Sequence, residues 1–278
     1  MSRWDRKIKF PAIGIQITNY VYGNGAMNTY GEPKYYDLSY SWNMRDELAF
    51  LKQVFTHKIK NKKPCILEPA CGTGRLLVPL IRSGFHCTGF DNNPEMLAYL
   101  EQKLVRNKLK ADLFRADLAT FDAGHEKFHA AFCTVDTFRH LLTDKAAITH
   151  LQRVARSLRP GGYYILGFHL LPVSGVSKQV HRWQGSRGRL TVKSEIRVLA
   201  VNRRRREETL RYTIRAKKQK FQSRYKLRTY TWQQFRQLLS RADCFDIGAV
   251  YDLEYDLSKS IIPDQHTEDA VFLLKRKK

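Results

Sequence analysis

Between residues 60 and 170 short apolar runs alternate with amphipathic stretches, and this alternation constrains the fold more than any other feature of the chain. "PCILEPA", "HCTGFD", "ADLFRAD", "FHAAFCTVD" and "YYILGFHL" read as strands. The segments between them carry apolar residues at helical spacing, as at Leu76, Leu77, Leu80 and Ile81. Strand–helix–strand repetition implies parallel strands joined by crossover helices. Within "NPEMLAYLEQKLVRN", Asn93 can cap a helix, Pro94 suits its first turn and Glu95 suits the positive end of its dipole. "KAAITHLQRVARSLRPGG" is a helix with a hard stop, and "LLVPLIRSGF" ends near a glycine. A last helix, "TWQQFRQLLSRADC", precedes two strands near "DIGAVYDLEYD" and "DAVFLLKRK". The predicted fold class is α/β, a doubly wound, mostly parallel seven-stranded sheet.

After residue 170 the period changes from helical to two. In "LTVKSEIRVLAV", Leu190, Val192, Ile196 and Val198 alternate with Lys193, Glu195 and Arg197. "TLRYTIRA" and "FQSRYKLRTY" repeat the pattern, with Leu210, Tyr212, Ile214, Phe221, Tyr225 and Leu227 against Arg211, Thr213, Arg215, Arg224, Lys226 and Arg228. The expectation is an inserted three-stranded antiparallel meander with one apolar and one basic face. The domain plan is then an extension over 1–34, a main domain over 35–170 and 229–278, and the basic insertion over 171–228.

The net charge of +23 is concentrated there: residues 178–228 hold 18 Lys/Arg against Glu195, Glu207 and Glu208, or 18 − 3 = +15. Such a field favours an anionic partner. Five cysteines, Cys65, Cys71, Cys87, Cys133 and Cys244, are scattered without a C-x-x-C pair, and neither a metal site nor a disulfide framework is indicated. No apolar run approaches the ~20 residues that span a bilayer, and "MSRWDRKIKFPAIGIQITNY" lacks the apolar core of a signal peptide. The expected location is cytoplasmic.

In an open parallel sheet, ligands bind off the carboxyl ends of the strands. Polar groups occupy four consecutive predicted strand ends: Glu68 to Gly74, Asp91, Asp117, and Cys133 to Asp136. The first is "ILEPACGTGR", an apolar strand running into a Gly-x-Gly turn. A dinucleotide fingerprint needs a third glycine, and that position is Leu77. An acid four residues before Gly72 points elsewhere. The segment resembles motif I of the class I S-adenosylmethionine-dependent methyltransferases, and about residues 35 to 170 follow that family's order. "GFDNNPEML" is similar to its second strand, "FRADLATF" to its third and "LRPGGYYIL" to the turn before its fifth. The resemblance implies a Rossmann-like methyltransferase fold with S-adenosyl-L-methionine as cofactor. It implies cofactor contacts at Glu68, Ala70, Cys71, Gly72, Gly74, Arg75, Asp91, Asn92, Met96, Asp117, Leu118 and Cys133, with Asp91 on the ribose hydroxyls and Asp117 on the adenine amine. "KYYDLSYSW", with Tyr36, Asp37 and Tyr40, resembles the sugar N,N-dimethyltransferases and glycine N-methyltransferases, where a tyrosine lies over the methionine end; Tyr36 is its counterpart. "VDTFRHLL" is similar to a segment of that group, with Arg139 where an asparagine is usual.

Methyl transfer demands in-line approach, and an acceptor that sheds a proton needs somewhere to send it. His140, His169 and the neighbouring Asp136 are the candidates. "CTVDTF" lacks the Asp/Asn-Pro-Pro-aromatic motif of nucleic-acid amino methyltransferases, and Cys133 follows Phe132 rather than the proline of the cysteine-nucleophile type. The leading expectation is N- or O-methylation of a small, acidic acceptor beneath the insertion. Two alternatives stand beside it: an RNA-modifying methyltransferase that tracks phosphates with residues 178–228, and a non-catalytic cofactor-binding or scaffold protein. No membrane partner is expected, and a homo-oligomer is compatible with the insertion.

Overall fold

Two helices, α1 (Pro33–Ser39) and α2 (Arg45–Lys58), precede the first strand in a computed structural model that describes residues 28–59, 61, 63–172 and 179–278. Expectations for residues 1–27 and Lys178 lie outside the described residues. The alternation then appears as β1 (Cys65–Pro69), α3 (Leu77–Arg82), β2 (His86–Asp91), α4 (Pro94–Arg106), β3 (Asp112–Arg115), β4 (Phe128–Cys133), α5 (Asp144–Ser157) and β5 (Leu158–His169). Asn93 caps α4 by accepting from the amides of Glu95 (2.8 Å) and Met96 (3.1 Å). Thr143 caps α5 through the amide of Ala146. Both caps satisfy amides that a helix start leaves without partners.

Four strands follow, β6 (Val180–Arg187), β7 (Leu190–Asn202), β8 (Glu207–Ala216) and β9 (Gln219–Arg228), then α6 (Trp232–Ala242), β10 (Phe245–Tyr251) and β11 (Asp269–Arg276). The main sheet has seven strands in the order β10-β11-β5-β4-β1-β2-β3. β1 pairs in parallel with both β2 and β4, and β11 runs antiparallel between β5 and β10. Strand order therefore reverses between β1 and β4, where crossovers leave to opposite sides and open a crevice. Helices cover both faces, burying Leu67, Phe90, Phe128, Leu166 and Phe272 on one and Ile66, Phe132, Ile165, Val271 and Leu273 on the other. No helix among the described residues is long and apolar enough to cross a membrane.

The insertion is a four-stranded antiparallel sheet in the order β6-β7-β8-β9, one strand more than its periodicity predicts. The additional strand, "VHRWQGSR", is polar and carries a glycine at its tightest contact. A Cβ on Gly185 would collide with the carbonyl oxygen of Leu38 in α1. One face of this sheet, with Val192, Ile196, Leu210, Tyr212, Ile214, Phe221, Tyr225 and Leu227, packs against Tyr30, Tyr36, Leu38, Tyr40 and Met96. Polar clasps fix it: Trp183 Nε1 donates to the Ser39 carbonyl at 2.7 Å, and Ser39 Oγ lies 2.6 Å from both Ser194 Oγ and Tyr212 Oη.

Two residues of the predicted polar face depart from their expected exposure. Arg228 is buried because the end of β9 meets α5, where its guanidinium reaches the Leu142 carbonyl and Asp144 at 2.5 Å. Thr213 is also buried. β3 stops at Arg115, two residues short of the predicted end. Asp117 instead opens a turn, accepting from the amides of Ala119 (2.8 Å) and Thr120 (3.2 Å).

Candidate cofactor and acceptor cleft

The crevice at the strand-order reversal is lined by the carboxyl ends of β1, β2 and β4 and closed above by the tyrosines of and before α1. Its walls include Glu68, Ala70, Cys71, Gly72, Arg75, Asp91, Met96 and Cys133, with Tyr36 over them. Sequence reasoning thus finds nine members of one cleft. It misses Tyr30, Tyr40, Pro69, Thr73, Thr134, Val135 and Thr137, which complete the lining. Tyr40 lies within the segment "KYYDLSYSW" with Tyr36 and was within reach. Tyr30 sits in a stretch with no periodicity, and no signal marks it.

Asp91 ties the two principal turns together. Its Oδ2 accepts from the amide of Gly72 and its Oδ1 from the amide of Asn93, both at 2.9 Å. Burial pushes its pKa up to about 6, although those amide hydrogen bonds pull against it. Gly72 has φ +52°, and a Cβ there would meet nothing within 4 Å, so the turn presents bare backbone to the cleft. Gly74 has a different use: a Cβ there would collide with Leu100 of α4. It does not line the cleft but lets α3 and α4 close together.

Glu68 is buried, and its Oε2 has no hydrogen-bond partner among the described residues. Burial holds its pKa well above the usual carboxylate range, with Arg75 pulling it down and Glu47 pushing it up. An isolated buried carboxylate oxygen is costly unless a donor or cation meets it. Arg75 is not that partner. Its guanidinium is held in a bidentate pair with buried Glu47, one arm at 2.9 Å, and stacks on Trp42 at 5.4 Å. Glu47 also accepts from Thr134 at 2.6 Å, so one acid of α2 organises both Arg75 and the end of β4. Sequence reasoning misses Glu47, because nothing in the spacing links it to Arg75.

Asp37 of α1 is clamped by Lys103 (2.8 Å), Arg187 (2.9 Å) and Tyr99 (3.1 Å). Burial opposes its charge, but the Lys103 and Arg187 cations hold its pKa below the ordinary value. The clamp joins α1, α4 and β6, fixing the helix that carries Tyr36 and is capped by Tyr40.

Asn92, Asp117 and Leu118 stand outside the lining. Asn92 gives its carbonyl to Arg115 at 3.0 Å. Leu118 is fully buried, and its carbonyl lies 2.8 Å from His150 Nδ1. Asp136, His140 and His169 also lie beyond the wall, which ends at Thr137. Asp136, in left-handed backbone at φ +46°, receives the His169 amide (2.8 Å) and Arg139 (2.8 Å), and lies 3.2 Å from His169 Nδ1. Burial works against charge on His169, but Asp136 and Asp269 outweigh it and raise its pKa to about 9. His169 is a cation at neutral pH. Burial instead pushes the His140 pKa down to about 3, and its Nε2 has no hydrogen-bond partner among the described residues. No group of three or more His, Cys, Asp or Glu suited to a metal occurs among the described residues.

A family model described as a methyltransferase domain matches residues 66–162. A putative methyltransferase YqeM of Bacillus subtilis is 31% identical over 112 residues, 39% of this chain and 43% of that protein. The chain therefore aligns with less than half the length of that curated relative. Among solved structures, an S-adenosylmethionine-dependent methyltransferase from Clostridium acetobutylicum superposes with a TM-score of 0.69 at 18% identity, covering 86% of this chain and 94% of its own. The sugar N-methyltransferase KedS8 from Streptoalloteichus gives 0.68 at 18% identity, covering 96% and 99%. At such identities these likenesses establish a shared fold.

Proposed function

We propose, for a chain built around a class I S-adenosylmethionine-dependent methyltransferase domain, that it methylates a nitrogen or oxygen of a small-molecule acceptor in the cleft beneath the inserted sheet. The observation that carries this reading is the coupled pair of buried acids at the strand-order reversal. Asp91 keeps lone pairs for a diol after taking two backbone amides, and Glu68 has a buried oxygen without a partner. The bare turn at Gly72 admits close backbone approach. These features fit the ribose and the cationic methionine portion of S-adenosylmethionine, which when bound supplies a methyl group already activated on sulfonium sulfur.

The chain's own contribution is binding, orientation and exclusion of water. Asp91 would accept from the ribose hydroxyls, each such charge-assisted bond contributing roughly 1.5–3 kcal/mol. Glu68 would receive the ammonium group. Tyr36 closes over the cleft, and its hydroxyl is kept neutral because burial raises its pKa well above the ordinary value. Tyrosine faces suit a sulfonium or an ammonium by cation–π attraction.

The lining bears on the acceptor. Arg75 is the one cation in it among the described residues, and Glu47 neutralises that charge. Exposed cations of the insertion, such as Lys193, Arg215 and Arg224, lie on the face of the sheet away from Tyr36 and Tyr40. The charge argument for an acidic acceptor thus loses its basis at the cleft. Buried acids and tyrosines favour an amine, and the likeness to a sugar N-methyltransferase supports an amino sugar as acceptor class. An amine also fits the protonation states behind Thr137. His169, already a cation, has no room for a proton at neutral pH, and burial holds the His140 pKa down at about 3, so neither histidine serves as a base; an amine that arrives unprotonated needs none before transfer, and Asp136 positions rather than reacts.

RNA as methyl acceptor has less support. Tyr212, Tyr225 and Tyr230, the aromatics available for stacking bases, are buried. Calorimetric titration of S-adenosylmethionine into wild type and Asp91→Ala tests the reading. Saturable one-to-one binding abolished by the substitution is expected; unchanged affinity would remove Asp91 from the site.

A further inference from the structure

The outer face of the inserted sheet is organised in rows. Strand register places Lys193 opposite Arg215 and Arg215 opposite Lys220, so three cations lie side by side across β7, β8 and β9. Four residues along, Arg197 faces Arg211 and Arg211 faces Arg224. Lys193, Arg215, Lys220 and Arg224 are exposed, and Arg197 and Arg211 half-buried. Between the two rows runs a third, Glu195–Thr213–Gln222, in which Glu195 is shared by Arg182 at 2.8 Å and Arg197 at 3.4 Å, one carboxylate against the six row cations. Like charges directly opposite on neighbouring strands destabilise a sheet. Repeating that arrangement twice on one face costs stability and calls for a polyanion that offsets it.

We propose that this face docks the phosphate backbones of double-helical RNA, independently of the methyl-transfer cleft. The spacing supports a duplex. Four residues of strand separate the rows by about 13 Å, and each row crosses three strands, about 10 Å, so two anionic ribbons flanking a shallow groove would each meet one row. A-form RNA presents a wide, shallow minor groove between its backbones, onto which a flat sheet can lie, whereas the grooves of B-DNA admit a helix or a narrow ribbon. Two other anionic partners fit less well. Single strands are held by stacking on exposed aromatics, and the aromatic residues of β8 and β9, Tyr212, Phe221 and Tyr225, all point inward and are buried. Membrane surfaces take apolar side chains into the headgroup layer, and the large exposed hydrophobic residues among the described residues, Val105, Ile247 and Ile262, all lie outside this sheet.

The test is fluorescence anisotropy of the full chain with a labelled 20-base-pair RNA of arbitrary sequence across a salt series. Six neutralised phosphates predict a roughly 10³-fold loss of affinity between 50 and 200 mM salt. A variant with Arg197, Arg211 and Arg224 changed to Gln should roughly halve the logarithmic salt slope while leaving S-adenosylmethionine affinity unchanged, which shows that the fold is intact. The proposal is overturned if duplex RNA does not bind at 50 mM salt, if the triple variant binds it with an unaltered slope, or if a duplex DNA of the same length or vesicles with 30% anionic lipid bind more tightly than the RNA.

Discussion

Asp91 Oδ2 and the Gly72 amide lie 2.9 Å apart, joining the end of β2 to the turn that leaves β1. That bond makes the proposed cofactor cradle depend on one carboxylate. Burial raises the Asp91 pKa to about 6, above the ~3.9 of an unfolded chain. The folded apoprotein therefore holds more protons than the unfolded chain between these values, and the contribution of Asp91 to stability falls as pH rises through that window, then levels above about 6. Cofactor affinity should move the other way, flat above about pH 7 and falling as the carboxylate protonates below about 6. Calorimetry from pH 5 to 8 reads both edges.

Glu68 gives a proton-linked signature. Its raised pKa follows from burial of an oxygen without a partner, and an ammonium placed against that oxygen would draw the pKa back down. Cofactor binding should then release protons wherever the apoprotein carboxyl is protonated, detected as a dependence of binding enthalpy on buffer ionisation enthalpy. Glu68→Gln should remove most of that dependence and weaken binding by about tenfold or more, a charge-assisted bond being worth roughly 1.5–3 kcal/mol.

Gly185→Ala should separate roof from cradle. The added methyl meets the Leu38 carbonyl, a backbone atom that cannot swing aside. Overpacking of this kind costs about 1–3 kcal/mol. Because α1 carries Tyr36 and runs directly into Tyr40, turnover of the acceptor should fall more than cofactor affinity, as compared in steady-state kinetics and calorimetry.

Arg139 is the pin between insertion and core. Buried beside Asp136 (2.8 Å) and Glu208, it also donates to the Arg228 carbonyl at 3.0 Å. Arg139→Ala strands two buried carboxylates, and breaking a buried pair from one side costs about 3–5 kcal/mol. A lowered urea midpoint with an unchanged slope is the expected result.

The fate of His169 is legible in its pH dependence. Its folded pKa of about 9 exceeds the ~6.5 of an unfolded histidine. Its contribution to stability is fully present below about pH 6.5 and is lost as pH rises through 9. Thermal melts should show that loss in wild type and not in His169→Gln.

Much of this architecture is written in local patterns. Apolar periodicity marks the strands of the main sheet, and the Asn93–Pro94 pair marks the start of α4, because burial and capping act over a few residues. The nine cleft residues found from sequence lie mostly at strand ends, which a parallel sheet must gather on one side. Contacts made across the chain left no such trace. Thr29 beside Tyr30 meets Ser223 at 2.6 Å, 194 residues away, and Glu47 reaches Arg75 with no pattern connecting them. β6 was hidden because its close approach to α1 selects Gly185 where an alternating strand would show a side chain. Arg228 follows the polar parity of β9, yet the end of that strand runs into α5, and only tertiary packing decides its burial.

The central claim is tested most directly by incubating the purified protein with a cell extract and S-adenosylmethionine labelled in its methyl group. Label is then counted in the acid-soluble metabolite fraction and in nuclease-sensitive polymer. Methylation of a small acceptor in the cleft predicts label in metabolites that disappears with Asp91→Ala. Label confined to polymer, or label in metabolites indifferent to that substitution, would contradict it.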